Sequence, residues 1–169
     1  MHQQNMIGNL KILNSRETKH IVEKIAEQYG CEMDLSQYAF LSNKDNRIYI
    51  VSRDIDLVPY DEMKIDSIGM YFGEMYKESL RLSIEASQLV GPAASRNVVD
   101  VSKEQLNEWV KGNDIHIDES NGPSDSRDFI IIRHCSSIGY SDYFGAGKFK
   151  DDKILNFVSK SRRLVVVNE

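Results

Sequence analysis

Two segments of this chain carry a complete set of signals for an α-helix, and they constrain the fold more than any other feature. In the first, Asn14 and Glu17 form a capping-box pattern, and Gly30 stands where a helix C-terminal glycine belongs. Between these residues an apolar stripe recurs at helical spacing. Its members are Ile21, Val22, Ile25, Ala26 and Tyr29. The pattern predicts one long amphipathic helix between Asn14 and Gly30.

The second helical segment lies in the other half of the chain. Ser102 and Gln105 form another capping box, and Gly112 ends the segment. Its predicted buried face consists of Leu106, Trp109 and Val110. One or two further helical turns are predicted at residues 85–90, where Gly91 and Pro92 stop them.

Most of the remaining sequence is typical of short β-strands. Tyr38–Ser42 and Arg47–Ser52 are β-rich and flank a polar turn, a pattern that predicts a β-hairpin. Further strands or extended segments are predicted at residues 10–13, 64–72, 80–84, 97–101, 115–117, 129–132, 138–149, 154–158 and 164–167. The sequence therefore predicts an α+β protein, with a mixed α/β layer in the N-terminal half and a small mixed barrel in the C-terminal half.

Residues 91–95 (GPAAS) are the best candidate for a domain boundary, because they are small, polar and turn-forming. We expect an N-terminal α/β domain at residues 1–92, with a loose tail at 1–9, and a second domain at 93–169. Residues 118–128 (DESNGPSDSRD) are predicted to form an exposed acidic loop. Each domain is small and buries a modest fraction of its surface, so the two are expected to pack together.

Composition narrows the class of protein. The chain has 169 residues, 41% of them hydrophobic, and a formal net charge of −5. It has no apolar run near the ~18 residues that suggest a membrane span, and its N-terminus is not a secretory signal, so we expect a cytoplasmic protein without membrane contact. Cys31 and Cys135 are far apart and are predicted to be buried free thiols. The acidity argues against a protein with a basic coat, but one basic face is compatible with it.

That basic face is predicted at residues 144–164 (FGAGKFKDDKILNFVSKSRRL). The tract contains six cations and two acids, a local balance of about +4. The cations are Lys148, Lys150, Lys153, Lys160, Arg162 and Arg163. A cationic cluster in an acidic protein favours a polyphosphate partner, although for any single lysine a solvated face is the better explanation.

The sequence also contains two weaker patterns, one for a phosphate loop and one for a metal site. Gly147 and Lys148 do not belong to a phosphate loop, because Phe149 follows the lysine and strands flank the pair. The glycines at 145 and 147 favour a strand bulge or a close backbone approach, and if RNA lies over them, their bare backbone donors and Lys148 are expected to meet phosphate. His116, with carboxylates at 114 and 118, offers a weak metal pattern that a strand end explains as well. We expect no cofactor and no metal.

Aromatic and arginine side chains supply further candidates for binding nucleic acid. We expect one of Tyr140, Tyr143 and Phe144 to be exposed and available to stack on a base. Arg81 and Arg96 are predicted to line the interface between the halves or to extend the basic face. Arg162 and Arg163 face opposite directions in an extended segment, so one of them is free to pair with acids of the N-terminal domain.

Four stretches in this order resemble a known family: YFG (71–73), LRLSIEASQLVGP (80–92), NVVDVSKEQLNEWVKG (97–112) and the basic tract. They look like archaeal two-domain ribosome-biogenesis proteins, in which an α/β pre-PUA domain precedes a PUA domain, the RNA-binding module of pseudouridine synthases and archaeosine transglycosylases. The basic tract is similar to the PUA-like tail of Sun/Fmu-type rRNA cytosine methyltransferases. The section 80–112 also resembles the eukaryotic large-subunit pre-rRNA processing factor of the same plan.

The resemblance implies an RNA-binding PUA pseudobarrel without catalysis. In PUA domains the loop after the first helix meets RNA, which here implies Lys111, Gly112 and Asn113. Basic contacts near the C-terminus of the domain imply Lys160, Arg162 and Arg163, with Lys148 and Lys150 as neighbours. The chain departs from the methyltransferases because it has no catalytic methyltransferase domain, and it has Ser159 where a proline is expected.

The leading hypothesis is a non-enzymatic RNA-binding protein of ribosome biogenesis or rRNA modification, whose acidic N-terminal domain contacts a protein partner. The alternative is an adaptor that recruits an rRNA-modifying enzyme without touching RNA itself. A small RNA-modifying enzyme is the third hypothesis, and it requires a pocket of converging polar groups that the sequence does not name.

Overall fold

The computed structural model describes residues 6–117 and 128–165, and it shows an α+β protein. The first helix, α1 (Ser15–Tyr29), forms as predicted. The Asn14 side chain accepts hydrogen bonds from the amides of Arg16 and Glu17, and Gly30 ends the helix in the left-handed conformation. Ile21, Ile25 and Tyr29 bury the apolar face of α1. The helix therefore starts and stops where its capping signals are.

Six antiparallel strands form the first sheet, and they lie in chain order. The strands are β1 (Met6–Ile7), β2 (Leu10–Ile12), β3 (Tyr38–Ser42), β4 (Arg47–Ser52), β5 (Met70–Tyr76) and β6 (Ser79–Leu82). The predicted β3–β4 hairpin is confirmed, with Phe40 opposite Ile50 in the register. The strand predicted at 64–72 is displaced, because β5 begins at Met70 and continues to Tyr76.

A short second helix follows this sheet. Ile84, predicted to be the last residue of a strand, is instead the first residue of α2 (Ile84–Val90). The Ser83 hydroxyl accepts a hydrogen bond from the amide of Ala86 and so caps the helix. The alternating strand pattern therefore ends at Leu82, because Ser83 caps the helix that follows.

Five strands form the second sheet, with β7 (Val98–Asp100) parallel to β9 and the other pairs antiparallel. The other strands are β8 (Ile115–His116), β9 (Phe129–Cys135), β10 (Ser141–Lys150) and β11 (Lys153–Leu155). The third helix, α3 (Lys103–Lys111), carries the predicted capping box. Its Trp109 is fully buried and donates a hydrogen bond to the carbonyl of Phe144 at 2.7 Å. Trp109 thereby fixes α3 against the sheet.

The predicted final strand is not formed in its described part. Leu164 and Val165 are exposed and lie outside both sheets, while residues 166 and 167 lie outside the described residues. The amide of Leu164 donates to the carbonyl of Val110 at 2.8 Å, so the chain returns to the end of α3 rather than to a sheet. Of the predicted acidic loop, only Asp128 lies within the described residues.

The two halves of the molecule share one core. A cluster around α1 and the first sheet also contains Phe129, Ile131, Tyr143 and Ala146 of the second sheet. The buried Gln28 side chain accepts from the amide of Leu80 and donates to the carbonyl of Phe129, so it connects both sheets. In the parts of the chain that the structure describes, no helix is long and apolar enough to cross a membrane.

Candidate functional site

The C-terminal basic residues lie in and beside a single 3₁₀ turn, Lys160–Arg162, which follows Ser159. The Lys160 side chain is exposed. Arg162 forms an ion pair with Glu85 of α2. The sequence predicted that one of Arg162 and Arg163 pairs with an acid of the N-terminal half, and the structure shows that Arg162 does so. The guanidinium that an RNA phosphate would contact is therefore already held by a carboxylate.

Arg163 has different partners and packs against the end of α3. Its Nε donates to the carbonyl of Val158 at 3.0 Å. A Cβ built on Gly112 would lie 2.3–2.6 Å from the Arg163 side chain, so the bare glycine backbone allows this close approach. This contact brings together the loop after α3 and the C-terminal turn, and we call the cationic surface of these two segments the basic corner. It consists of Lys111, Gly112, Asn113, Lys160, Arg162 and Arg163.

The loop at the end of α3 uses its polar groups internally. The amides of Gly112 and Asn113 donate to the carbonyls of Trp109 and Glu108, as in a Schellman motif. The Glu108 carboxylate accepts from Lys111 and from the Asn113 side chain, and both hydrogen bonds lower the pKa of Glu108. Of the three predicted residues in this loop, Lys111 carries the positive charge, which an RNA phosphate would share with Glu108, and Gly112 and Asn113 shape the surface around it.

The predicted role of the β10 glycines in binding phosphate through bare backbone donors is wrong. A β-bulge does occur between Tyr143 and Ala146. However, the Gly145 amide is buried and donates to the Ser87 hydroxyl at 2.8 Å. Gly147 is also buried, and a Cβ there would lie 2.7 Å from the Trp109 ring. These glycines permit close packing of the core, so the predicted bulge and close backbone approach are both present.

Lys148 contacts aromatic rings, and Lys150 is exposed near the end of the β10–β11 hairpin. The Lys148 ammonium lies 5.4 Å from the centre of the Phe129 ring and 6.0 Å from that of Tyr76. Phe129 in turn contacts Phe157 edge to face, with the ring centres 5.6 Å apart. We call Tyr76, Phe129 and Phe157 the aromatic row. Sequence reasoning missed this row because its members are far apart in the chain.

A cleft of about 580 Å³ lies between the first sheet, α2 and the C-terminal segment. Arg47, Arg81 and Arg162 line it together with Glu74 and Glu85. The Arg81 guanidinium donates to Glu74 at 2.6 Å and lies 5.0 Å from the centre of the Phe157 ring. We call this space the central cleft. Arg81 therefore lies at the interface between the halves, which is one of the two positions predicted for it.

Other sequence candidates lie elsewhere. Tyr140 is exposed and Tyr143 is buried, in agreement with the expectation of one exposed ring. Among the described residues no group of His, Cys, Asp and Glu has the arrangement of a metal site. Cys31 is buried, which raises its pKa, whereas Cys135 is exposed, contrary to the prediction, and lies 3.6 Å from Asp100.

No family model matches this sequence. The chain is similar to the ribosomal RNA small subunit methyltransferase F of Vibrio atlanticus (strain LGP32), with 20% identity over 147 residues. The match covers 83% of this chain and 28% of the methyltransferase, so the chain spans less than a third of that protein's length. This distant similarity agrees with the predicted relation to the Sun/Fmu-type methyltransferases. The predicted relation to the archaeal and eukaryotic two-domain proteins stays a prediction.

Proposed function

We propose that this chain is an rRNA-binding protein that grips RNA through the basic corner of its second half and does not itself transfer a chemical group. On this proposal residues 1–92 are a pre-PUA domain, residues 93–169 are a PUA domain, and the protein acts in ribosome biogenesis or rRNA modification. The similarity to part of an rRNA methyltransferase supports the RNA partner.

The observation that carries the proposal is the meeting of two distant basic segments. Lys111 ends α3 and Lys160 lies in the C-terminal turn, and Arg163, which follows that turn, packs on Gly112. On this proposal the two segments act as one cationic surface. Both lysines are exposed, and an acidic protein that gathers cations in one place favours a polyanion there. RNA phosphates are the polyanion that fits the similarity.

A binding role is favoured over a catalytic one by the chemistry of the described residues. A nucleophilic cysteine requires a neighbourhood that stabilises the thiolate, usually with cations. Burial raises the pKa of Cys31 and so disfavours its thiolate. We expect no incorporation of label when the protein is incubated with rRNA and a radiolabelled methyl donor.

The test is binding to a small-subunit rRNA fragment across a salt series. Lys111→Ala/Lys160→Ala removes two exposed cations of the basic corner, and Lys44→Ala/Lys64→Ala removes two exposed cations of the N-terminal half as a matched control. Arg163 is left intact because its contacts are structural. Each lost phosphate contact flattens the salt dependence of binding by roughly 0.7–0.9 in log–log slope.

We expect the Lys111/Lys160 variant to bind more weakly, with a slope lower by about 1.5, and the control variant to bind like the natural protein. Equal weakening in both variants would contradict the placement of the site. A natural protein that binds no RNA at low salt would contradict the function and favour the adaptor alternative.

A further inference from the structure

The aromatic row is partly open to solvent. Tyr76 is 53% exposed and Phe157 is 41% exposed, whereas Phe129 between them is buried. The two outer rings contact Phe129 edge to face, with interplanar angles of 85° and 81°. Both outer rings therefore keep part of their surface in water, although burial of large aromatic rings is favourable. The exposed rings of Tyr76 and Phe157 both rest on Phe129, and they form a platform on which a flat ligand can stack.

Cations surround this platform. Lys77 and Lys148 lie 5.9 and 6.0 Å from the centre of the Tyr76 ring, and Arg81 lies over Phe157. Cation–π contacts occur about once in 70–80 residues, so a chain of this size is expected to have about two. All four such contacts among the described residues lie in this one row. The concentration of charge at exposed rings points to an anionic ligand that also has flat apolar faces.

The central cleft is continuous with the platform, because Arg81 and Phe157 line the cleft. Arg47 and Arg162 extend the cationic lining away from the ring. Glu74 and Glu85 hold two of the three guanidinium groups, while Arg47 has no ion-pair partner among the residues that the structure describes. A ligand with a ring on Phe157 thus has arginines beside it for its charged group.

We infer that the aromatic row is a stacking site for unpaired bases of single-stranded RNA, and that the adjoining cleft receives the phosphates next to them. This inference rests on the proposed function and adds the class of RNA. Bases in a duplex have both faces covered by their neighbours, whereas unpaired bases are free to stack on aromatic side chains. The row therefore selects loops or single-stranded segments, and the basic corner contributes phosphate contacts that paired and unpaired RNA share.

The test compares a single-stranded RNA of about 12 nucleotides with a duplex of the same sequence, a length within the range of single-strand sites. Binding is measured by fluorescence anisotropy for the natural protein, Tyr76→Leu and Phe157→Leu. Leucine keeps an apolar contact with Phe129 and removes the stacking surface. Leu57→Ala removes an exposed apolar side chain that lies outside every predicted RNA-binding surface, and it is the control.

We expect Tyr76→Leu and Phe157→Leu each to weaken single-strand binding by about 5- to 100-fold and to leave duplex binding unchanged. Phe157→Tyr keeps a ring and is expected to bind like the natural protein, which separates stacking from damage to the fold. Leu57→Ala is expected to have no effect. A 2-aminopurine base in the single strand is expected to lose fluorescence on binding to the natural protein, and to lose less on binding to Phe157→Leu.

Single-strand binding that is unchanged in both leucine variants would overturn the inference. It would also be overturned if Phe157→Leu weakened single-strand and duplex binding equally while Phe157→Tyr bound like the natural protein. In either case, weakening of both RNAs by Lys111→Ala/Lys160→Ala would leave the proposed function standing. Absence of binding to both RNAs by the natural protein would overturn both.

Discussion

At the scale of single residues, the Glu85–Arg162 pair decides how much charge the central cleft offers to RNA. Glu85 belongs to α2 and Arg162 to the C-terminal turn, so the pair also holds the C-terminal segment against the first half. About half of the Arg162 side chain is exposed (53%), and an exposed pair of this kind is worth at most about 1 kcal/mol. A phosphate that approaches Arg162 competes with a weakly bound carboxylate.

The first prediction concerns this competition. Glu85→Gln removes the negative charge and leaves Arg162 free to bind phosphate, so RNA affinity is expected to rise about two- to fivefold. The salt dependence should also become steeper, because one more phosphate contact forms. Both quantities are measured by anisotropy across a salt series. The control is Glu32→Gln, which removes one exposed acid from the same half. Weaker binding by Glu85→Gln would show instead that Glu85 holds Arg162 in the productive position.

The sequence predicted local relations between residues better than distant ones. The prediction that one of Arg162 and Arg163 pairs with an acid of the first half agrees with the structure, in which Arg162 pairs with Glu85. Contacts of Phe129 with both Tyr76 and Phe157 depend on three separate strands and loops closing on one another. No spacing in the sequence encodes that closure, so the aromatic row was missed while the cationic tract beside it was found.

At the scale of elements, helix ends were predictable, whereas strand ends were predictable only beside a local turn, as in the β3–β4 hairpin. The caps of α1 and α3 are formed by residues two to five positions apart, so the information is local. Residues 164–167 have a β-rich composition, yet Leu164 bonds to Val110 instead of a strand. A segment with high β-propensity forms a strand only when a neighbouring strand is available to pair with it. The position of that neighbour depends on the whole fold.

The second prediction tests the joint between α3 and the C-terminal segment. Gly112 has φ +93°, and a Cβ there would also collide with Arg163. Gly139 has φ +87° with open space around it, so it is a control for backbone strain alone. We expect Gly139→Ala to lower the free energy of unfolding by about 1 kcal/mol and Gly112→Ala to lower it by more. Chemical denaturation measures both values.

A double-mutant cycle isolates the collision. In an Arg163→Ala background the cost of Gly112→Ala is expected to fall towards that of Gly139→Ala, because the colliding side chain is gone. An unchanged cost would mean that the collision contributes nothing and that backbone strain explains the whole effect. The cycle thus tests whether Arg163 lies on Gly112, the contact that joins the two parts of the basic corner.

At the scale of the whole molecule, both candidate surfaces are products of how the halves meet. The aromatic row takes Tyr76 from the first sheet and Phe129 from the second, and the central cleft is lined by residues of both halves. Gly91 lies at the predicted domain boundary, and a Cβ there would lie 2.2 Å from the Tyr143 ring. The sequence predicted a boundary in this segment, but it gave no information on the docking angle of the halves, which decides whether a cleft exists.

The shared core leads to the last prediction, that the halves unfold together. Phe72 is fully buried in the first sheet, and its core cluster continues through Ile131 of the second. Phe72→Leu is expected to lower the free energy of unfolding by about 1–3 kcal/mol. Trp109 is the single tryptophan and lies in the second half, so its fluorescence reports on that half. In urea, the Trp109 transition and the far-UV circular dichroism transition should shift to the same lower midpoint.

The control for this experiment is Ile132→Val in the core around Trp109, which should shift both signals together as well. A Trp109 transition that stays at its natural midpoint in Phe72→Leu, while the circular dichroism signal falls earlier, would show that the halves unfold independently. Independent halves would permit the angle between them to vary, and the aromatic row would then be assembled only in part of the population. Base stacking needs Tyr76 and Phe157 on the same platform, and these residues belong to different halves. The proposed single-strand site therefore requires that the two halves stay packed together.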